Sequence, residues 1–184
     1  MQLTGRAESG VRAATAADAA DLARIQRTTW RTAYRSLLPA DVLDTWDDAA
    51  VTAAWASAIT AAPSADHGVL VAHEGELIVG YLAHGPADDP GPRAAAEVSA
   101  FLVEPRWGRR GHGSRLMAAL VDVLVPRGVG EVAQWVAEAD RVTAGFLESA
   151  GWAADTWSRT LDAGSTTIRE RRWHVLLPDH EGLG

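Results

Sequence analysis

The sequence predicts an α/β (α+β) fold, in which short strands alternate with amphipathic helices. Two observations carry this prediction. Apolar residues recur at helical spacing in four segments, and β-branched or aromatic runs form about seven strands between them. Glycine or proline stands at the ends of several of these segments. With 184 residues, the chain is predicted to form one domain over 1–184, with flexible ends near 1–9 and 179–184.

The first half of the chain predicts one strand, two helices and a hairpin. A short strand at Val11–Ala13 is followed by Thr15-x-x-Asp18, which has the form of a capping box and starts a helix near Ala16. Residues at helical spacing form the buried face of this helix: Leu22, Ile25, Thr29 and Ala33. Pro39 breaks it, and a second helical segment follows. This segment is marked by Val42, Leu43, Trp46, Trp55 and Ile59.

The hairpin and the second half continue the alternation. Two strands joined by a tight turn are predicted at Gly68–His73 and Leu77–His84, before a polar loop at Pro86–Arg93. A strand ending at Val103 and a helix from Ser114 follow. The remaining elements are a strand at Val132–Val136, a helix capped by Asp140 with Val142, Phe146 and Ala150 on one face, and closing strands at Asp155–Leu161 and Thr167–Leu177.

Composition excludes several classes of protein. The chain has no cysteine, so it contains neither a disulfide nor a thiolate nucleophile. Its net charge of −7 argues against a nucleic-acid partner, and no apolar run reaches the roughly 18 residues of a membrane span. His73-Glu74 lacks the second histidine of a zinc motif, because Leu77 occupies that place, so no metal is predicted. We expect a cytoplasmic protein, and a homodimer is compatible with the sequence.

The segment Gly108–Ser114 connects a strand to a helix and contains three glycines. Glycine allows close backbone approach, and the N-terminus of a helix favours an anion. A P-loop is excluded because all 17 Lys and Arg residues are arginines, and a dinucleotide motif fits poorly because Leu116 stands where its third glycine belongs. The segment therefore predicts a phosphate site, with a plain tight turn and an unrelated nucleotide-phosphate binder as alternatives.

The same segment resembles the cofactor motif [QR]-x-x-G-x-[GA] of the GNAT superfamily of acyl-CoA N-acyltransferases, although Gly108 stands in the place of Gln or Arg. Residues 137–152 resemble its second motif, N-x-x-A-x-x-F-Y-E-x-x-G-F. The positions that match or are conservatively replaced are Asp140, Phe146, Glu148, Gly151 and Trp152. Leu147 departs from this motif, because the family often has a tyrosine there that is thought to protonate the leaving thiolate.

The resemblance implies a central mixed, mostly antiparallel sheet of about seven strands flanked by about four helices. It also implies an acetyl-CoA-dependent N-acetyltransferase that acts by direct attack in a ternary complex. Acetyl-CoA would be the co-substrate, and a small-molecule or peptide amine the acceptor. The candidate cofactor-binding residues are Leu102, Val103, Arg109, Arg110, Gly111, His112, Gly113, Ser114, Asp140 and Phe146. Asp140 has the alternative role of a simple helix cap.

The chemistry requires a base for the amine and an acid for the thiolate. Glu97 is the candidate base, because it stands on the strand where many members carry a catalytic glutamate; a solvated strand-end residue is the alternative. Tyr34 and Tyr81 are the only phenols in the chain. Tyr34 is the candidate acid, because it lies near the end of the helix expected to line the acceptor site; solvent is the alternative. Trp30, Tyr34 and Trp55 are predicted to line the acceptor site, although such aromatics are more often core. A GNAT-like protein that binds acyl-CoA without catalysis is the rival function.

Overall fold

The computed structural model describes residues 9–88, 95–164 and 166–178. Seven strands, the number that the sequence predicts, form one sheet in the order β1-β2-β3-β4-β5-β7-β6. The strands are β1 (Ser9–Ala13), β2 (Gly68–Glu74), β3 (Leu77–Pro86), β4 (Ala95–Val103), β5 (Glu131–Ala137), β6 (Ala153–Asp162) and β7 (Thr167–Leu176). The helices are α1 (Ala19–Thr32), α2 (Ala40–Asp44), α3 (Asp48–Thr60), α4 (His112–Leu124) and α5 (Arg141–Ser149).

Five helices replace the four that the sequence predicts, because the second predicted helical segment is divided. Asp47 interrupts it: its carboxylate accepts hydrogen bonds from the N–H groups of Ala49 and Ala50 at 2.9 and 3.1 Å and starts α3 as an N-cap. The predicted capping box is present, with the Asp18 carboxylate 2.7 Å from the N–H of Thr15. A 3₁₀ turn separates this box from α1, which therefore starts three residues later than predicted, at Ala19 instead of Ala16.

The helices pack on opposite faces of the sheet. α4 buries Leu116 and Leu120 against one face, in a cluster that includes Val98 of β4 and Val132 of β5. α1 buries Leu22 and Ile25 against the other face, beside Tyr81 and Leu102. Ala33, predicted on the buried face of α1, lies just beyond its last residue and is exposed. Most of β6, at the edge of the sheet, is also exposed.

β4 and β5 form the only parallel pair in the described sheet, and they are joined for only part of their length. Their pairing runs from Ala95 opposite Glu131 to Val98 opposite Gln134. Beyond Val98, β4 continues to Val103 and β5 to Ala137 without pairing to each other, so the two strands diverge into a wedge. Ligands of α/β proteins bind at the carboxyl ends of such strands, and α4 and α5 both begin there.

No helix in the described ranges is long and apolar enough to cross a membrane. The predicted flexible ends fall almost entirely outside the described residues, and so does most of the predicted polar loop Pro86–Arg93.

Candidate functional site

A cleft of about 760 Å³ opens where β4 and β5 diverge. Four parts of the chain line it: the end of α1, the end of β4, the turn that leads into α4, and the beginning of α5. Nine of the ten predicted cofactor residues are among the lining residues, namely Leu102, Val103, Arg109, Gly111, His112, Gly113, Ser114, Asp140 and Phe146. Tyr34 also lines the cleft. The structure thus brings together segments that are more than 100 residues apart in sequence.

The turn between β4 and α4 is shaped to present backbone N–H groups. Arg109 and Gly111 have φ angles of 61° and 81°, and Arg109 is the only non-glycine residue with a positive φ in the described chain. No side chain caps α4 at its N-cap, Gly111. Within the described residues, no hydrogen bond is found from the N–H groups of residues 109–114. Free N–H groups at a helix N-terminus are suited to an anion such as a diphosphate.

Gly113 allows close approach at the first turn of α4. A Cβ atom there would lie 3.2 Å from atoms of both Phe101 and Phe146, whose rings stack with centroids 5.2 Å apart. Any larger residue would therefore have to displace this aromatic pair. Phe101 was not predicted as a site residue, because a single aromatic on a strand is as well explained by the core. The free N–H groups, the glycine and the absence of an acidic side chain between residues 105 and 115 fit a CoA diphosphate.

Four arginines surround the turn, but the structure gives them different roles. Arg106 forms an ion pair with Glu104 at 2.7 Å, and Arg115 donates to the carbonyl of Arg110 at 3.1 Å. Arg110 stacks on Trp107, with its guanidinium carbon 4.7 Å from the ring centroid, and does not line the cleft. Arg109 does line the cleft, and no hydrogen bond or ion pair of its side chain is found among the described residues. Of the two predicted phosphate-binding arginines, Arg109 is therefore the one placed for contact.

The opposite wall of the cleft is the beginning of α5. The Asp140 carboxylate caps this helix, accepting from the N–H and the hydroxyl of Thr143 at 3.0 and 2.7 Å. Tyr34, two residues after the end of α1, reaches this cap. Burial raises the pKa of the Tyr34 phenol, the nearby charge of Asp140 raises it further, and a hydrogen bond with Thr143 opposes these effects. The phenol therefore keeps its proton at neutral pH.

Glu97 lies outside the residues that line the cleft. It alternates with Val98, which faces α4, and so it projects from the opposite face, one residue before the β4–β5 pairing ends. Burial raises the pKa of the Glu97 carboxyl, whereas the Arg159 charge and a hydrogen bond from Trp135 lower it. Glu97 thus stands at the closed end of the wedge, with a carboxyl that titrates above its usual range.

The predicted acceptor-site tryptophans also lie outside the lining of the cleft. Trp30 packs edge to face on Trp46 with centroids 5.4 Å apart. Trp55 packs on Tyr81 at 4.8 Å, and its indole N–H donates to Gln26 at 2.8 Å. These contacts are those of packed aromatics. Tyr81, whose orientation the sequence leaves open, is 1 % exposed.

Val142 and Phe146, predicted on one face of α5, both line the cleft. Val142 is 83 % exposed at the rim of the cleft, whereas Leu147 is fully buried in the α4 core cluster. Leu147 therefore occupies the tyrosine position of the resembling motif as a core residue. Among the residues that the structure describes, no group of three or more potential metal ligands is found.

Comparisons with known proteins identify the family and the fold. Residues 22–152 match the model of the acetyltransferase (GNAT) family. No curated protein matches the sequence. Solved structures share the fold at low identity. PaiA N-acetyltransferase from Thermoplasma acidophilum, in complex with coenzyme A, is 16% identical with a TM-score of 0.67, covering 89% of this chain and 98% of that one.

Two further structures are similar. YncA from Salmonella typhimurium, whose structure contains acetyl-CoA, is 19% identical with a TM-score of 0.67, covering 96% of this chain and 98% of that one. The ribosomal-protein-alanine N-acetyltransferase from Brucella melitensis is 19% identical with a TM-score of 0.69, covering 91% of this chain and 99% of that one.

Proposed function

This chain belongs to the acetyltransferase (GNAT) family, and on that premise we propose that it transfers an acetyl group from acetyl-CoA to a primary amine by direct attack in a ternary complex. The observation that carries the proposal is the turn between β4 and α4, which combines unpaired N–H groups with Gly113, where a Cβ atom would lie 3.2 Å from Phe101 and Phe146. Structural relatives that contain CoA or acetyl-CoA support the same ligand.

Binding would use the backbone first and Arg109 second. The N–H groups of residues 109–114 would hold the diphosphate, and the guanidinium of Arg109 would add a charge-assisted contact. The unpaired edge of β4 that ends at Leu102 and Val103 would hydrogen-bond the pantetheine arm, because its backbone groups in the wedge have no partner on β5. Phe101 and Phe146 would supply an apolar floor.

Acetyl-CoA supplies an activated thioester, and the residues of this chain manage two protons. An alkyl ammonium with a pKa near ~10 is only about 0.1% neutral at pH 7, so a base is useful. We assign that role to Glu97, because burial raises the pKa of its carboxyl and makes the carboxylate a better base. As the C–N bond forms and the C–S bond breaks, the amine proton passes to Glu97, directly or through water.

The departing thiolate also needs a proton or a hydrogen bond. Tyr34 is the phenol that lines the cleft, and its raised pKa keeps it in the protonated form. The same shift makes complete transfer to a thiolate with a pKa near ~8.5 unfavourable, so water competes with Tyr34 as the final donor. Tyr34 would then stabilise the thiolate by donating a hydrogen bond.

The experiment that tests the proposal measures release of free thiol from acetyl-CoA in the presence of a panel of primary amines. We expect amine-dependent release and the formation of the N-acetyl product. Thermal stabilisation by acetyl-CoA, but not by ATP, would separate an acyl-CoA site from a general nucleotide-phosphate site. Thiol release that does not depend on any amine would contradict acyl transfer to nitrogen.

One observation favours a second candidate function, a non-catalytic acyl-CoA sensor or structural subunit. Leu147 fills the place of the family's tyrosine and is buried in the core, so α5 has no tyrosine to protonate the thiolate. Stabilisation by acetyl-CoA without turnover of any amine would support this candidate over the enzyme.

A further inference from the structure

We propose that the acceptor is an amine that carries a carboxylate beside its amino group, as a free α-amino acid does, and that Arg159 of β6 binds this carboxylate. The inference rests on the proposed function, because it names the acceptor of that reaction. It comes from four side chains, Glu97, Trp135, Arg159 and Glu170, which we call the acceptor face.

Strand register places these four residues on one face of the sheet. Glu97 of β4 is opposite Ala133 of β5, and Trp135 is two residues further along β5, so both project to the same side. Arg159 of β6 is opposite Glu170 of β7. The Arg159 guanidinium lies over the Trp135 ring, 4.5 Å from its centroid, which joins the two pairs. This face is the one opposite α4, at the closed end of the wedge.

Arg159 is held in position while part of its guanidinium stays available. Its Nε donates to the Glu170 carboxylate at 2.6 Å, and its guanidinium carbon lies over the Trp135 ring. No hydrogen bond from its two terminal amino groups is found among the described residues, and 41 % of the side chain is exposed. These two amino groups form the outer end, or fork, of the planar guanidinium. Their N–H groups can donate in parallel to the two oxygens of a carboxylate.

Arg172, on the same face, differs from Arg159 because both of its terminal amino groups donate hydrogen bonds. One of its terminal amino groups donates to Asp155 and the other to Glu131, both at 2.7 Å. Its side chain is 18 % exposed. Both terminal amino groups of Arg172 are therefore used in structural contacts. Those of Arg159 have no such contact within the described part of the chain.

The charges on the acceptor face match a zwitterion. Glu97 provides a carboxylate that would take a proton from the amine, and Arg159 provides a cation for the carboxylate of the same acceptor. Glu170 takes only the Nε–H of Arg159, at 2.6 Å, and leaves the two terminal amino groups for the acceptor. A diamine would place its second ammonium near the Arg159 cation, which is unfavourable, and a plain alkylamine would gain no hydrogen bond from the fork, which water would then solvate.

The test compares matched acceptors that differ by one carboxylate: alanine with ethylamine, phenylalanine with phenethylamine, and lysine with cadaverine. We expect kcat/KM to favour the amino acid by about 10-fold or more in at least one pair, as a charged hydrogen-bond pair would give. In Arg159→Gln the ratio of the two kcat/KM values should fall toward one. Arg159→Lys should keep part of the preference, because lysine has the charge but only one amino group.

Arg127→Gln is the matched control. Arg127 follows α4 and contacts Ala65 and Asp66, away from the acceptor face, so this variant should keep the wild-type preference. Circular dichroism and a melting curve verify that each variant is folded, and Arg159→Lys replaces Arg159→Gln if the latter does not fold.

The possible outcomes separate the proposed role of Arg159 from the proposed acetyltransferase function. Equal or better turnover of the amines lacking a carboxylate, or an unchanged preference in both folded Arg159 variants, overturns the role of Arg159 and leaves the proposed function standing. A preference for cadaverine over lysine indicates a cationic acceptor instead. No turnover of any amine by the wild type overturns the proposed function, and this inference with it.

Discussion

Two strand–turn–helix units, β4–α4 and β5–α5, stand side by side at the cleft, and their helices begin in opposite ways. α4 starts at Gly111, in the left-handed conformation and with no capping side chain. α5 starts at Asp140, whose carboxylate takes the N–H of Thr143. An open N-terminus attracts an anion, whereas one that already contains a carboxylate repels it. Whether a helix start suits an anion therefore depends on what is absent from it as much as on the helix itself.

The largest expected effect comes from making the first unit resemble the second. Gly111→Asp or Gly113→Asp places a carboxylate at the start of α4, and Gly113→Asp also displaces the Phe101–Phe146 pair. We expect loss of thermal stabilisation by acetyl-CoA, measured by melting curves with and without the ligand.

Gly145 supplies the matched control, because a Cβ atom at this position of α5 would meet nothing within 4 Å. Gly145→Asp should keep the response to acetyl-CoA. Unchanged affinity in folded Gly111→Asp and Gly113→Asp variants would contradict the assignment of the turn as the phosphate site.

In the proposed function the turn binds the anion and other side chains carry out the chemistry, and a Glu97 variant tests that separation. Glu97→Gln should lower turnover by about 10²-fold or more and leave acetyl-CoA binding nearly intact. Because burial raises the pKa of Glu97, the wild type should lose activity on acidification at a higher pH than an ordinary carboxylate would predict. The pH dependence of kcat/KM measures both effects.

The loss in Glu97→Gln should shrink as the pH approaches the pKa of the amine, since free amine then needs no base. A loss that stays constant with pH would point to a structural role for Glu97. Full activity would place the base elsewhere.

A Tyr34 variant tests whether the phenol beside the capped start of α5 contributes to turnover. Tyr34→Phe should reduce turnover at saturating amine by about 10-fold, without weakening acetyl-CoA binding. Since burial and the Asp140 charge raise the Tyr34 pKa, the wild-type phenol stays protonated and the effect should persist from about pH 6 to about pH 9. Steady-state rates over this range give the measurement.

Tyr81→Phe is the control, because Tyr81 is buried against Trp55 away from the cleft and should have little influence on turnover. Wild-type rates in Tyr34→Phe at every pH would make solvent the proton source.

The smallest effect concerns the two neighbouring arginines of the first unit. Arg109→Ala should weaken acetyl-CoA binding several-fold, because it removes a side chain that lines the cleft and has no other partner among the described residues. Arg110→Ala removes a cation stacked on Trp107 and should change binding less. Titration calorimetry compares the two dissociation constants, and equal losses would indicate that only overall charge matters.

Much of this fold could be predicted from the chain alone. Strand and helix periodicity depends on nearby residues, so all seven strands and the starts of most helices were predicted within a few residues. The glycine turn and the Asp140 cap are local signals in the same sense. The break at Asp47 was missed because apolar residues continue on both sides of it, although an aspartate is itself a cap signal.

What the sequence determined by itself is the order of the elements and the open helix start that suits a phosphate. Only the tertiary structure decided which side chains reach the cleft. Arg109 and Arg110 are neighbours with the same chemistry, yet one lines the cleft and the other stacks on Trp107. Leu147 is buried, and Arg159 lies over Trp135 from a strand that follows later in the chain. The physical reason is that these placements depend on strand pairing and packing between distant segments, which no local pattern encodes.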